Sequence, residues 1–279
     1  LLPNGNVVVD SPYWNNGAAV DAGAVTVVDP SGPVTGVVTA ANSLVGTKPF
    51  DEVGFGDSIT VLTNGNFVVG SPYWSNNGVI AGAATWANKD GSTVGPVSIA
   101  NSVVGSTLND QVGAYVQALA NGNYVLTTYQ WSNGGNDSVG AVTWGNGNGG
   151  TVGVISAANS LIGASANDYV GSVSTIGNDY LVTSPYWNNG RGAVTFGNGA
   201  VGTTGVVSAA NSVIGATPGA ILSWTAPVAT GSGDFVVANS GDGGGRVVVG
   251  FSDLSQITFA RAASLDLAIT ATSLANILN

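Results

Sequence analysis

The chain has 279 residues, with 15 acidic and five basic side chains and a formal net charge of −10. So few bases cannot replace the counterions of a phosphate backbone, which disfavours nucleic acid and anionic membrane surfaces as partners. Zero Cys removes disulfides, thiol nucleophiles and thiolate metal sites, and zero His removes the usual general base and the commonest zinc ligand. Only 7% of residues are charged and 43 are Gly, yet 44% are hydrophobic, which is ample for a core.

The chain opens at Leu1 without a Lys/Arg-led leader and in the middle of a repeat, so the reading is of a piece of a longer chain. The first copy runs through Gly5-Asn6, the triplet Val7-Val8-Val9, the motif Ser11-Pro12-Tyr13-Trp14, a Gly-Ala-Val-Thr segment from Gly23, then Ala41-Asn42-Ser43 and Val45-Gly46. The second repeats this with Phe67-Val68-Val69, Ser71-Pro72-Tyr73-Trp74 and Gly82. In the third the motif decays to Thr128-Tyr129-Gln130-Trp131, and in the fourth Ser184-Pro185-Tyr186-Trp187 restores it. The fifth keeps Phe235-Val236-Val237 but replaces the motif with Gly241-Asp242-Gly243-Gly244-Gly245. The four tryptophans step by 60, 57 and 56 residues, a period that marks a repeat architecture.

Within the third copy, Val112–Leu119, Asn123–Thr127, Gly140–Trp144 and Val152–Ser156 read as four short strands joined by Gly-rich turns. Four strands in roughly 57 residues is the size of a propeller blade. The apolar triplets are continuous rather than alternating, as expected of strands covered on both faces. A β-solenoid would bury such runs too, but its coils are about half this period. The fold class expected is therefore all-β, a five-bladed β-propeller in one domain, with blades at about 1–46, 47–105, 106–163, 164–215 and 216–264. Residues 265–279 either close the ring, with Leu265–Thr270 as the missing first strand, or begin a downstream segment.

The motifs resemble the FG-GAP repeat of integrin-α-type propellers. That pattern has a Gly, a carboxylate, Phe-Gly, an Asn-Gly-Asp-Gly calcium loop, an apolar strand, Gly-Ala-Pro and Gly-x-Val-Tyr. The third copy offers Gly105, Asp110, Val112-Gly113, Asn121-Gly122-Asn123 and Tyr124-Val125-Leu126, and the second offers Ser71-Pro72 and Gly82-Ala83-Ala84-Thr85. The resemblance implies a propeller but departs at the calcium loop. Asn-Gly-Asn lacks the alternating carboxylates of a calcium site, so no metal and no cofactor are expected. The repeats, with the tail Ile257–Asn279, also resemble modules of large filamentous-haemagglutinin-like bacterial adhesins, which implies a secreted or cell-surface location.

The Trp motif falls between the second and third strands of each copy, at the end where Asp51, Asp110 and Asp168 stand in the connections between copies. One face is thus expected to gather Tyr13, Trp14, Asn15, Tyr73, Trp74, Asn76, Trp131, Tyr186, Trp187 and Asn188 with those three aspartates. Aromatic rings beside amides and carboxylates suit a neutral sugar, and several weak sites on one ring gain avidity. The same residues also read as architecture, the rings as wedges between blades and the aspartates as turn acceptors. Expected partners are glycans or another surface protein. A catalytic role is not expected, because Glu52 is the only Glu and the Asp residues recur with the repeat instead of forming one cluster.

Overall fold

Triplets of β-branched and aromatic residues next to Gly-Asn-containing turns favour antiparallel pairing, and each of the first four repeats is built on such a pair. The computed structural model describes residues 1–32, 35–56 and 58–219, together with the backbone of strands at 228–229, 235–239 and 246–250. The first repeat gives β1 (Val7–Ser11), β2 (Ala24–Val28) and β3 (Ser43–Val45). From the second come β4 (Ile59–Val61), β5 (Phe67–Ser71), a small hairpin of β6 (Ser75–Asn76) and β7 (Val79–Ile80), β8 (Ala83–Ala87), β9 (Gly95–Pro96) and β10 (Ser102–Val104). The third supplies β11 (Tyr115–Ala118), β12 (Tyr124–Thr128), β13 (Ala141–Gly145), β14 (Gly153–Val154) and β15 (Ser160–Ile162). The fourth has β16 (Ser172–Ile176), β17 (Asp179–Ser184), β18 (Ala193–Gly197), β19 (Gly205–Val206) and β20 (Ser212–Ile214), and the last described strands are β21 (Val228–Ala229), β22 (Phe235–Asn239) and β23 (Arg246–Gly250). The fold is all-β. The only helical turn among the described residues, Trp187–Gly190, has Asn188 and Asn189 at φ 49° and 57° and is a loop in its backbone angles.

Besides the β6–β7 hairpin there are five sheets, in the orders β1-β2-β3-β9, β4-β5-β8-β10-β14, β11-β12-β13-β15-β19, β16-β17-β18-β20 and β21-β22-β23. One strand assignment needs correction. The run Val152–Ser156 is not the fourth strand of its own sheet. Its core, β14, lies parallel to β10 of the preceding repeat, with Val103 beside Gly153, whereas the fourth strand is β15, which pairs antiparallel with β13. The Ala-Asn-Ser motif makes this reversal. Asn159 Oδ1 accepts from Ser156 N and Ser160 Oγ, both at 2.9 Å, while its Nδ2 donates to Val154 O at 2.9 Å. Ser160 Oγ then meets Thr143 Oγ1 at 2.7 Å, and the same Thr–Ser pair recurs as Thr26–Ser43, Thr85–Ser102 and Thr195–Ser212. The second, third and fourth repeats thereby each lace one strand into the sheet of the repeat before.

The cores lie between successive sheets. Phe67 and Val69 point into a cluster with Val25 and Leu44 of the first repeat, while Val68 points the other way, against Leu126 and Trp131 of the third. Val125 and Val182 share the next cluster with Trp187. Both faces of a central sheet are therefore covered, as continuous triplets require. The triplet Val7–Val9 is the exception, half-buried with Val9 42% exposed, because β1 is an edge strand and only the second repeat packs against its sheet among the described residues. Side chains of Phe235–Val237, the loop Gly241–Gly245, the tail Ile257–Asn279 and the closing strand expected at Leu265–Thr270 lie outside the described residues.

Candidate functional site at the repeat junctions

The three junction aspartates are buried, at 0%, 1% and 2% exposed for Asp51, Asp110 and Asp168. Each carboxylate uses one oxygen on the turn that precedes it. Asp110 Oδ2 accepts from Ser106 N and Thr107 N at 2.8 Å, Asp51 Oδ2 from Thr47 N and Lys48 N at 2.9 and 2.8 Å, and Asp168 Oδ2 from Ala164 N and Ser165 N at 2.8 Å. The second oxygen reaches the residue after the next tryptophan, as Asp51 to Ser75 N (3.0 Å), Asp110 to Ser132 N (3.1 Å) and Asp168 to Asn188 N (2.8 Å). Thr107 Oγ1 donates to Asp110 as well. The aspartates and the Trp motifs do share one end of the molecule. Their lone pairs, however, are directed at backbone N–H groups, and the buried position leaves no face for a ligand.

The tryptophans also point inward. Trp74, Trp131 and Trp187 are 7%, 3% and 6% exposed, and each lies in a cluster that joins its own repeat to the one before. Trp14 is half-buried, and no earlier sheet covers it among the described residues. The expectation of a Trp–Asp ligand platform is corrected on this point, since burial of a large ring between sheets is a packing role.

What remains on the surface is tyrosine. Tyr13, Tyr73 and Tyr186 are 63%, 38% and 45% exposed, and they pack edge-to-face on aromatics of the junctions: Tyr13 and Tyr73 on Phe55, Tyr186 on Tyr169. The amides beside them serve the loop. Asn15 Oδ1 accepts from Asp21 N at 2.8 Å, Asn76 Nδ2 donates to Gly105 O at 2.9 Å, and Asn188 adopts φ 49° at the bend. A left-handed Gly completes the junction. Gly82 has φ +78°, and a Cβ there would stand 2.4 Å from Val112 N, so the close parallel approach of Gly82 to Val112 requires glycine.

At the opposite end the Asn-Gly-Asn turns form a second clasp, for which the sequence reading offered no role. Asn64 Nδ2, Asn66 Nδ2 and Trp86 Nε1 all donate to Gly147 O of the third repeat, at 2.8, 2.9 and 2.9 Å. Asn121, Asn123 and Trp144 converge in the same way on Gly199 O at 2.8, 2.9 and 2.9 Å. In the first repeat Val27 replaces the tryptophan, and Lys89 O receives Asn4 and Asn6 alone, both at 2.9 Å. Trp86 and Trp144 were legible as a recurrence after Ala-Thr and Val-Thr, but they fall in a strand where a packing role is the default.

Glu52 sits beside Asp51 at φ 44°, where burial first and the Asp21 charge second hold its carboxyl above the usual Glu range. The hydroxyls of Tyr124 and Tyr180 are pushed up to about 12, mainly by burial.

This geometry defines a tandem-repeat all-β protein whose recurring polar residues join one repeat to the next. The profile of the DUF5650 repeat, described as a repeat of unknown function, matches residues 1–55, 61–114, 118–172 and 175–223, and the chain belongs to that family. No curated protein matches the chain.

Proposed function

We propose that the chain is a five-bladed β-propeller with blades of FG-GAP, integrin-like design. It serves as a non-enzymatic structural module of a large, secreted or surface-attached bacterial protein. The observation that carries the reading is the repeated junction clasp, in which Asp51, Asp110 and Asp168 each spend both oxygens on backbone N–H groups of two successive segments. Residues used in this way hold repeats together and leave nothing free for chemistry. The blade arrangement is supported by cores that lie between successive sheets and by first strands that run side by side. Thr63 Oγ1 at the end of one donates to Leu119 O and Ala120 O of the next, at 3.3 and 3.2 Å. A secreted or surface location is supported by the lack of Cys, the low charge and the adhesin-like repeats. The partners of such a module are its own neighbouring segments and other surface proteins.

Small-angle X-ray scattering with an Asp110→Ala melt tests both parts. A closed ring of this length has a radius of gyration of about 19 Å. The expected outcome is that value together with a lowered melting temperature for Asp110→Ala. An elongated particle would contradict the ring, and an unchanged melt would contradict the structural role of the clasp.

A further inference from the structure

Departures from a repeat are informative where two of them meet in space, because the remaining copies show what the architecture alone requires. The third repeat departs twice. At the start of its first strand, Tyr115 stands opposite Thr127, where the fourth repeat sets Ser172 opposite Thr183 and the second has Ser58, whose carbonyl accepts from Gly70 N. In its motif, Tyr129 occupies the position held by Pro12, Pro72 and Pro185, and the exposed Gln130 takes the place of the outer tyrosine. These two substitutions bring Tyr115 and Tyr129 together edge-to-face, with centroids 5.6 Å apart. They wall a cleft of about 370 Å³ that runs from Ser58 and Thr60 of the second repeat past Gln117 to Val173 of the fourth.

We propose that this cleft binds a neutral saccharide unit. Its size lies at the lower end of small-ligand sites. Tyr115 is 60% exposed, so one ring face is open for the C–H face of a sugar, while the half-buried Tyr129 supports it from behind. Polar side chains share the lining, with Gln117 on the same face of β11 as Tyr115 and Ser58 and Thr60 coming from the second repeat. Ser58 Oγ is buried and takes no partner within the described residues, Gln117 adds an amide, and the Thr60 hydroxyl, which donates to Val116 O at 3.5 Å, keeps its acceptor side for a sugar hydroxyl. No charged side chain lines the cleft among the described residues, so nothing there repays the desolvation of an anionic or cationic ligand. Among the described residues the Tyr115–Tyr129 pairing occurs in the third repeat alone, in contrast to the recurring clasps, and the proposal goes beyond the structural reading without depending on it.

The test titrates the full chain with methyl α-glucoside, methyl α-mannoside, methyl β-galactoside and N-acetylglucosamine. Glucuronate and decaproline serve as the charged and peptide arms, with ligand-observed NMR as the readout. At least one neutral sugar is expected to bind with a Kd of about 0.1–5 mM, and glucuronate more weakly. Tyr115→Ser, which installs the residue of the neighbouring repeats, and Gln117→Ala should each weaken binding about tenfold or more. Both should keep the wild-type circular dichroism melt, and Tyr73→Ala should bind as wild type. The assignment is overturned if no neutral sugar binds, if binding survives Tyr115→Ser, or if glucuronate or decaproline is preferred.

Discussion

The Asp110 carboxylate accepts the backbone N–H of Ser132 at 3.1 Å, so a residue in the connection between two repeats fixes the chain directly after Trp131. The other carboxylate oxygen accepts from Ser106 N and Thr107 N, so one side chain sets the turn, the entry of the next repeat and the position of its wedge. Hydrogen bonds to a charged group are worth about 1.5–3 kcal/mol each, and buried donors left unpaired cost more than the bonds are worth on average. Asp110→Ala is therefore expected to lower the unfolding free energy by about 3 kcal/mol in urea denaturation. Asp168→Ala should behave alike, because its three partners are equivalent.

Glycine at the ends of β13 and β18 makes room for a ring. A Cβ on Gly145 would lie 2.0 Å from Tyr124, and one on Gly197 2.0 Å from Tyr180, both of them buried tyrosines. Neither ring can retreat in a packed interface. Gly145→Ala and Gly197→Ala are each expected to destabilise by about 1–3 kcal/mol, as overpacking does. Thermal melts of the two variants measure it, and Gly149→Ala, which meets nothing within 4 Å, is the control that should leave the melt unchanged.

Three donors on one carbonyl are partly redundant. Trp86→Phe removes the Nε1 donor from Gly147 O but leaves the Asn64 and Asn66 amides in place. The expected loss is below about 1 kcal/mol, and the first repeat already works with Val27 in that position. Combining Trp86→Phe with Asn66→Ala should cost more than the sum of the two alone, which a double-mutant cycle reads directly.

Glu52 gives the fold a pH dependence of defined sign. Its folded-state pKa is raised, first by burial and then by Asp21, so the folded protein holds the proton more tightly than the unfolded chain. The favourable contribution is present below the ordinary Glu value and is lost as pH rises through the folded value. Glu52→Gln should therefore melt slightly above wild type at neutral pH, with the difference vanishing below about pH 4.

How much of this was legible in the sequence varies with the physics. The double-sided burial of β5 follows from the continuous Phe67-Val68-Val69, and the all-β class from Val-rich runs between Asn-Gly turns. The lacing of β14 into the preceding sheet was not legible, because Val152–Ser156 has the apolar character of an ordinary fourth strand and the reversal depends on the Asn159 side chain. For the site residues, spacing placed Asp110 and Trp131 at one end. Whether their side chains face water or the interior depends on the neighbouring repeat, and a single copy of the motif does not encode that. The cleft was visible only as a flaw, the Thr-Tyr-Gln-Trp of the third copy, until the register set Tyr115 beside Tyr129.

Amide hydrogen exchange at Ser75, Ser132 and Asn188 is the decisive measurement, since each of these three N–H groups donates to a carboxylate from the preceding junction. Strong protection is expected at all three in the wild-type chain. In Asp110→Ala, protection should be lost at Ser132 while Ser75 and Asn188 keep theirs. Fast exchange at all three in the wild type, or unchanged protection of Ser132 in Asp110→Ala, would contradict the junction clasp.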